Sequence, residues 1–392
     1  MKNNRTFLEK LLDGAEVEWK PLIKVASLTR GRVISKEYLA DNLGDYPVYS
    51  SQTVNNGEIG KINSFDFDGE FVSWTTDGAN AGTVFYRSGK FSITNVCGLI
   101  KIQNNLELNY KFLFYWLSIE AKNHVYSGMG NPKLMSHQME KILIPIPPLS
   151  VQTEIVKILD ALTALTSELT SELTLRRKQY EYYREKLLSE EELEKVGFEW
   201  KTLGDVAKIQ RGASPRPISQ YITDEPNGIP WIKIGDTSLD SKYIENTAQK
   251  ITVEGAEKSR ILKCGDFVMS NSMSYGRPYI LKISGAIHDG WASISDFENI
   301  LNSDFLYYYL SSDSVQSYWN GKINSSSVSN LNSDIIKSLP IPIPALHIQI
   351  EIAKTLDKFE TLINSISKGL PLAIEQSQKR YEYYRELLLN FS

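Results

Sequence analysis

The chain has 392 residues, 42% hydrophobic and 23% charged, which describes two or three globular domains rather than a disordered segment. Its 43 basic and 47 acidic side chains give a formal net charge of −4, excluding a polybasic chain held on nucleic acid by bulk charge but not a local basic face. No apolar run approaches the roughly 18 residues of a membrane span, and two cysteines, Cys97 and Cys264, without neighbouring ligands, fit neither a disulfide framework nor a zinc site, so the cytoplasm is the expected compartment.

From the N-terminus, Glu18-Trp19-Lys20 opens a stretch that continues through Leu22, Val25, Ala26, Arg30 and Gly31. Residues 20–36 include Lys20, Lys24, Arg30, Arg32 and Lys36 and no acidic residue, a pattern able to neutralise phosphates. A polar loop follows, with Ser50, Ser51 and Gln52 leading to Asn55 and Asn56. Asparagine and glutamine amides can read adenine edges in a duplex, although such loops are also ordinary turn material. GEFVSW (69–74) and residues 83–102 read as strands, the latter with a turn at Ser88-Gly89. Residues 77–82, DGANAG, read as a tight turn rather than a dinucleotide loop. Residues 108–119 suit a short helix, and Lys133 in GNPKLMS is a candidate phosphate contact.

IPIPP at 144–148 stops any preceding helix, and apolar positions then recur at steps of three and four: Ile155, Leu159, Leu162, Leu165, Leu169, Leu173, Tyr180, Tyr183 and Leu187. A helix over 151–189 would span about 58 Å. It contains two successive Thr-Ser-Glu-Leu units, at 166–169 and 170–173. Residues 151–199 carry 7 basic against 11 acidic residues, net −4, so the acid excess lies away from the basic loops.

The same order then repeats. Glu199-Trp200-Lys201 is followed by Leu203, Val206, Ala207, Arg211 and Gly212 at the same spacing as in the first half. Lys208, Arg211 and Arg216 restate the basic loop. Residues 228–237 and GDFVMS (265–270) read as strands, and 303–311 as a short helix. The segment Ser270, Asn271, Ser272, Met273, Ser274, Tyr275, Gly276, Arg277 is a second polar loop, in which arginine can read guanine. IPIPA at 341–345 precedes a second helical pattern over 348–389, interrupted near Gly369 and Pro371.

The fold expected is α+β, a pseudo-two-fold internal repeat of two globular domains. Each has a bent or barrel-like sheet, and the two are joined and separated by two long antiparallel coiled-coil-like helices. The boundaries are 1–147 for the first domain, 148–195 for the central helix, 196–344 for the second domain and 345–392 for the C-terminal helix. KQYEYYREKLL (178–188) matches KRYEYYRELLL (379–389) even between the apolar positions. Identity there suggests one partner docking twice, on Tyr180, Tyr182, Tyr183 and Arg184 and on Tyr381, Tyr383, Tyr384 and Arg385.

Catalytic signatures are missing. There is no phosphate-binding GxxxxGK[ST], no HExxH and no GxSxG, and the single Asn-Pro, at Asn131-Pro132, is followed by Lys133 rather than by a second proline. The chain therefore reads as a binder.

As a set, the paired E-W-K openings, the IPIPP and IPIPA helix starts, the tandem Thr-Ser-Glu-Leu units and the paired YEYYRE ends resemble the specificity (S) subunit of type I restriction–modification enzymes, over nearly the whole chain. The resemblance implies two target recognition domains, each reading a few base pairs of a split, asymmetric site in double-stranded DNA. It implies two modification (M) subunits that carry S-adenosylmethionine and methylate adenine, and motor-nuclease (R) subunits that use ATP and magnesium. It implies no catalysis and no cofactor in this chain. The helices would act as a spacer, and one more Thr-Ser-Glu-Leu unit, about 6 Å of helix, would lengthen the gap between half-sites by about one or two base pairs. The competing reading is a non-enzymatic coiled-coil scaffold with two ligand-binding domains, which leaves the twin basic loops unexplained.

Overall fold

The structure is a computed structural model that describes residues 7–127, 130–238, 241–271, 276–324, 331–364 and 369–391. It divides into two compact units: residues 1–168 with 375–392, and residues 169–374. Each unit thus combines one globular part with portions of both helical segments. The central helix, Leu149–Leu187, is continuous across the division. The C-terminal pattern is two helices, Leu346–Asn364 and Leu370–Leu389, with Pro371 in the first turn of the second, where no amide partner is lost.

The sequence repeats become contacts. In the first unit, Glu18–Pro21 pairs antiparallel with Leu143–Ile146, and Trp19 faces Pro145. In the second, Phe198–Thr202 pairs with Pro340–Pro344, and Trp200 faces Pro342. The E-W-K and IPIP motifs are therefore the two strands of a clasp that closes each globular part. A buried glutamine follows each clasp. Gln152 Nε2 donates to Glu107 O (2.8 Å) and Pro147 O (2.9 Å), and its Oε1 accepts from Asn109 N (2.9 Å). Gln349 repeats this with Ile300 O (3.0 Å), Pro344 O (2.9 Å) and Asn302 N (2.8 Å). Asn109 and Asn302 in turn cap the helices Tyr110–Glu120 and Ser303–Leu310, each side chain accepting a first-turn amide.

Both units share a four-stranded frame. In the first its order is Ala26–Arg30, Cys97–Ile102, Phe67–Thr75, Val84–Ile93; in the second, Lys208–Arg211, Trp291–Ser295, Phe267–Ser270, Pro278–Leu281. A strand parallel to the fourth follows in each, Leu43–Tyr49 and Tyr243–Ile244. The second unit adds a sheet of short strands, Ile222–Thr223, Lys250–Ile251, Ile229–Ile232, Gly285–Ile287 and Arg260–Leu262. All these sheets are open at their edges, so the bend does not reach barrel closure. The turn expected at Ser88-Gly89 is absent. Gly89 takes φ +84 opposite Gly69 at φ +124, and these two glycines let the strand run on to Ile93. The reversal comes instead at Thr94–Val96, where Cys97 N donates to Thr94 O (2.9 Å).

Each core joins sheet, capped helix and spacer. In the first unit Val72, Trp74, Phe112 and Leu117 bury with Ile155, Leu159 and Leu388. In the second, Phe267, Phe305, Tyr308 and Trp319 bury with Leu203 and Leu356. Each such side chain contributes about 1.5–3 kcal/mol. The helix segments in each unit run antiparallel. Ile155 and Leu159 share a core with Leu388, while Thr166 Oγ1 lies 2.8 Å from Ser377 Oγ. In the second unit Leu187 packs with the core holding Leu356, while Tyr183 stacks on Phe359 at 5.5 Å.

Candidate nucleic-acid interface

In the first unit the repeated Arg-Gly pair ends the strand Ala26–Arg30. A Cβ on Gly31 would lie 2.2 Å from Ile93 O, so only glycine permits this approach. Gly31 N donates to Cys97 O (3.2 Å), which sets Arg30 beside the 94–97 reversal. Arg30 Nη2 donates to Asn95 O (2.5 Å) and Thr76 Oγ1 (3.0 Å) and lies 4.0 Å from Asp77. Lys133 Nζ approaches the same carboxylate at 3.9 Å. Thr94 Oγ1 donates to Ser50 Oγ (2.9 Å), and Asn80 Nδ2 donates to Ser51 O (3.1 Å). The structure thus gathers Arg30, Lys133, Ser50 and Ser51 from three separate stretches at one end of the sheet. Gln52, Asn55 and Asn56 are exposed on the adjoining loop. Arg32, exposed and bridged through its backbone to Thr94, pairs with Asp66 (3.0 Å) and lies over Tyr38 at 5.0 Å. Lys24 falls before the strand, at its opposite end from Arg30, and is not part of the cluster.

The second unit repeats the arrangement with different side chains. A Cβ on Gly212 would lie 2.0 Å from His288 O, and Gly212 N donates to Trp291 O (2.8 Å). Trp291 therefore occupies the place of Cys97, and Asp289 that of Asn95. Arg211 Nε donates to Asp289 O (3.2 Å), as Arg30 donates to Asn95 O. Around Asp289 stand Ser214 Oγ (2.9 Å), His288 Nε2 (3.0 Å) and Arg216 Nη2 (3.5 Å), and Asn271 Nδ2 donates to its carbonyl (3.2 Å). Partial burial raises the Asp289 pKa, but the Ser214 hydrogen bond and the positive fields of His288 and Arg216 outweigh it and leave it below the usual range. Arg211, Asn271, Asn332 and Ser333 line one cavity of about 280 Å³.

Other expected contacts lie elsewhere. Lys208 sits at the far end of its strand from Arg211. Ser270 is 4% exposed, inside the sheet. Arg277 lines a cavity with Tyr180, Arg184, Tyr307 and Glu360, away from the Asp289 cluster. Ser272, Ser274 and Tyr275 lie outside the described residues, as does most of the loop at 324–329. The residues missed from sequence are Asp77, Asn95, His288 and Asp289. Their signal was the pair of Asp-Gly turns, Asp77-Gly78 and Asp289-Gly290, whose carboxylates collect the basic side chains.

The repeated YEYYRE segments divide between interior and surface. Tyr180 packs on its unit's core, and burial raises its pKa above the usual range. Arg184, 12% exposed, bonds Glu185 and Asp313, each at 2.9 Å, and Glu185 Oε1 accepts from Asp313 N (2.9 Å). Tyr381 and Tyr384 pack likewise on the first unit's core, with Arg385 over the Tyr381 ring at 5.5 Å. Tyr182 and Tyr383, 59% and 63% exposed, are the most open tyrosines of the two segments, and each meets its neighbour, Tyr183 or Tyr384, edge-on at 5.4 Å. Intramolecular packing thus accounts for much of the identity between the segments, while Tyr182 and Tyr383 stay largely exposed.

These clusters supply hydrogen-bond donors, acceptors and cations. Among the described residues no group of three or more His, Cys, Asp or Glu could hold a metal ion, and no helix is long and apolar enough to cross a membrane.

Comparison with known proteins gives one consistent family. The model of the type I restriction modification DNA specificity domain matches residues 16–175 and again 195–376. A Haemophilus influenzae chain that carries the name of a type I restriction enzyme specificity subunit is 41% identical, with all of both chains covered. The EcoR124I/EcoR124II specificity subunit of Escherichia coli is 33% identical over 98% of this chain and 97% of its own. The crystal structure of an S subunit from M. genitalium has the same fold, with a TM-score of 0.60 at 15% identity over 99% of this chain and 97% of that one.

Proposed function

Since the chain belongs to the type I restriction modification DNA specificity family, we propose that its two loop clusters read the two halves of a bipartite, asymmetric site in double-stranded DNA. It would direct adenine methylation by two M subunits and cleavage by R subunits. The observation that carries this reading is the shared frame with unshared contents. Arg30-Gly31 and Arg211-Gly212 hold the same reversal by the same bonds. Around them stand Lys133, Asn80 and the 50–57 loop in one unit, and Arg216, His288 and Asn271 in the other. A conserved mount with different donors and acceptors suits two different short base sequences. Methyl transfer and strand cleavage need S-adenosylmethionine, ATP and magnesium, which in this reading belong to the partners.

Exposed Tyr182 and Tyr383, at equivalent places, suit two equal contacts with two identical partner subunits. The test is single-molecule sequencing of DNA from cells carrying this chain with its candidate M partner. A split methyl-adenine motif that disappears when the chain is deleted is the expected result. A stable complex with that partner but no new methylation overturns the reading in favour of a scaffold.

A further inference from the structure

The first unit buries a cation where the second buries a hydrocarbon. Phe71 and Phe267 share a place in GEFVSW and GDFVMS; Phe71 pairs across the sheet with Arg87, and Phe267 with Ile280. Arg87 is 3% exposed and Ile280 is 4% exposed. The frame therefore folds with an isoleucine at this place, and a guanidinium withdrawn from water needs another reason.

Its bonds supply one. Arg87 Nε donates to Ser73 Oγ (3.0 Å), and Nη1 donates to Asn56 O (2.8 Å). The guanidinium lies 3.6 Å from the centre of the Tyr49 ring and 4.4 Å from that of Phe85. Neither hydrogen-bond partner is a carboxylate. Burial lowers its pKa to about 10, so the charge persists at neutral pH. Tyr49 and Asn56 bracket the polar loop. Within it Asn55 (φ +51), Asn56 (φ +53) and Gly57 (φ +81) are successively left-handed. Two asparagines in that conformation need outside support. Ser50 N to Gly57 O (2.9 Å) and Gln52 Nε2 to Glu58 O (2.5 Å) close the loop, and Arg87 ties it to the sheet. The second half of the sequence has no counterpart of this loop.

We propose that Arg87 is a positioning residue for DNA recognition. By clamping Asn56 O beneath Tyr49 it fixes how Gln52, Asn55 and Asn56 face the bases, and so sets the discrimination of one half-site alone. This rests on the DNA reading above. The substitution Arg87→Ile gives the first unit the residue that the second already buries. The full-length chain is offered randomised duplexes, the bound fraction is sequenced, and amide hydrogen exchange is followed on the same protein.

Expected is at least a tenfold loss of base preference in one half of the selected site, with the other half unchanged. Exchange should quicken at least tenfold over 50–57 and stay as it was over 67–75 and 84–93. Unchanged preference in both halves overturns the proposal. So does loss of protection throughout 67–75 and 84–93, which makes Arg87 an ordinary core residue. Gly57→Ala attacks the same contact from the loop, since its Cβ would meet Arg87 Nη2 at 3.1 Å at a disfavoured φ. It is expected to relax the same half of the site. If Arg87→Ile does not fold, unchanged preference in Gly57→Ala overturns the proposal instead. A wild-type chain that selects no sequence sinks the DNA reading and this proposal with it. The exchange measurement marks that case, because the clamp then still registers in 50–57.

Discussion

The two units place one carboxylate alike and neutralise it differently. Asp160 in the first and Asp357 in the second follow their buried glutamines at the same distance, and each accepts a tyrosine hydroxyl, Tyr115 at 2.6 Å and Tyr308 at 2.5 Å. In the first unit Lys111, half-exposed on the capped helix, closes on Asp160 at 2.5 Å. In the second the equivalent helix position is Asp304. Lys242, 7% exposed, arrives from beside the short strand Tyr243–Ile244 and bonds Asp304 (2.7 Å) and Asp357 (3.1 Å). Burial favours the neutral amine, but the Asp304 hydrogen bond and the two negative charges outweigh it and raise the Lys242 pKa. Both units keep the junction of globular part and long helix, but the charge that completes it comes from a half-exposed helix position in the first and from a buried position beside a strand in the second. The same bond pattern therefore carries unequal energetic weight.

That inequality gives the largest expected effect. Lys242→Met strands two carboxylates that share a mostly buried cation. Because those carboxylates are 37% and 43% exposed, the loss falls short of that of a fully buried pair and should be about 2–3 kcal/mol in the second unit. Lys111→Met removes an open pair and should cost under about 1 kcal/mol. Denaturant unfolding, read unit by unit through hydrogen exchange, measures both. Equal losses would mean that burial does not distinguish the two junctions.

The buried glutamines should behave alike instead. Gln152→Ala or Gln349→Ala frees two buried carbonyls and one helix-cap amide, a loss of about 2 kcal/mol or more in its own unit. A marked inequality between them would break the equivalence of the two clasps.

Smaller effects belong to the twin arginines. Arg30→Ala and Arg211→Ala should each weaken specific DNA binding by about 1–2 kcal/mol, roughly tenfold. Each should also lower the salt slope by about 1 if the side chain reaches a phosphate. Titrations at several salt concentrations separate the two roles. An unchanged affinity for both variants would leave these arginines as ties for the reversal alone.

Sequence exposed the frame because its causes are local or repeated. E-W-K, IPIP, the glutamine and the helix period occur twice at one spacing, and each proved to be a backbone pairing, a cap or an apolar face. The Asp160 and Asp357 junction was equally repeated, in KILD and KTLD, but its partners come from positions 111 and 242, which no shared spacing connects. The same holds at the candidate interface. Arg30 and Arg211 were visible, whereas Asp77 read as part of an ordinary turn and Asp289 did not stand out until the fold brought the cations to them. YEYYRE shows the opposite case, a visible repeat whose packing role was not read from sequence. Its identity suggested an external partner throughout, yet Tyr180, Arg184, Tyr381 and Tyr384 are largely engaged inside their own units. Arg87 left no signal, because a strand arginine is usually exposed and its burial depends on Tyr49, Phe85 and a loop from elsewhere.

The two cysteines allow the units to be watched separately without changing a core residue. Cys97, 3% exposed in the first unit's frame, has its thiol pKa pushed up to about 11 by burial. At pH 8 it is almost wholly protonated as well as shielded, so a maleimide should reach it only when the first unit opens. Cys264, exposed in the second unit, should react at once and serves as the internal standard. Labelling of Cys97 is expected to lag by about a thousandfold or more under native conditions. Gln152→Ala should shorten that lag, because it loosens the unit that holds Cys97. Gln349→Ala and Lys242→Met should leave it unchanged, because their losses fall on the second unit. If all three variants speed Cys97 equally, the two units open as one, and the energetic separation drawn from their junctions is wrong.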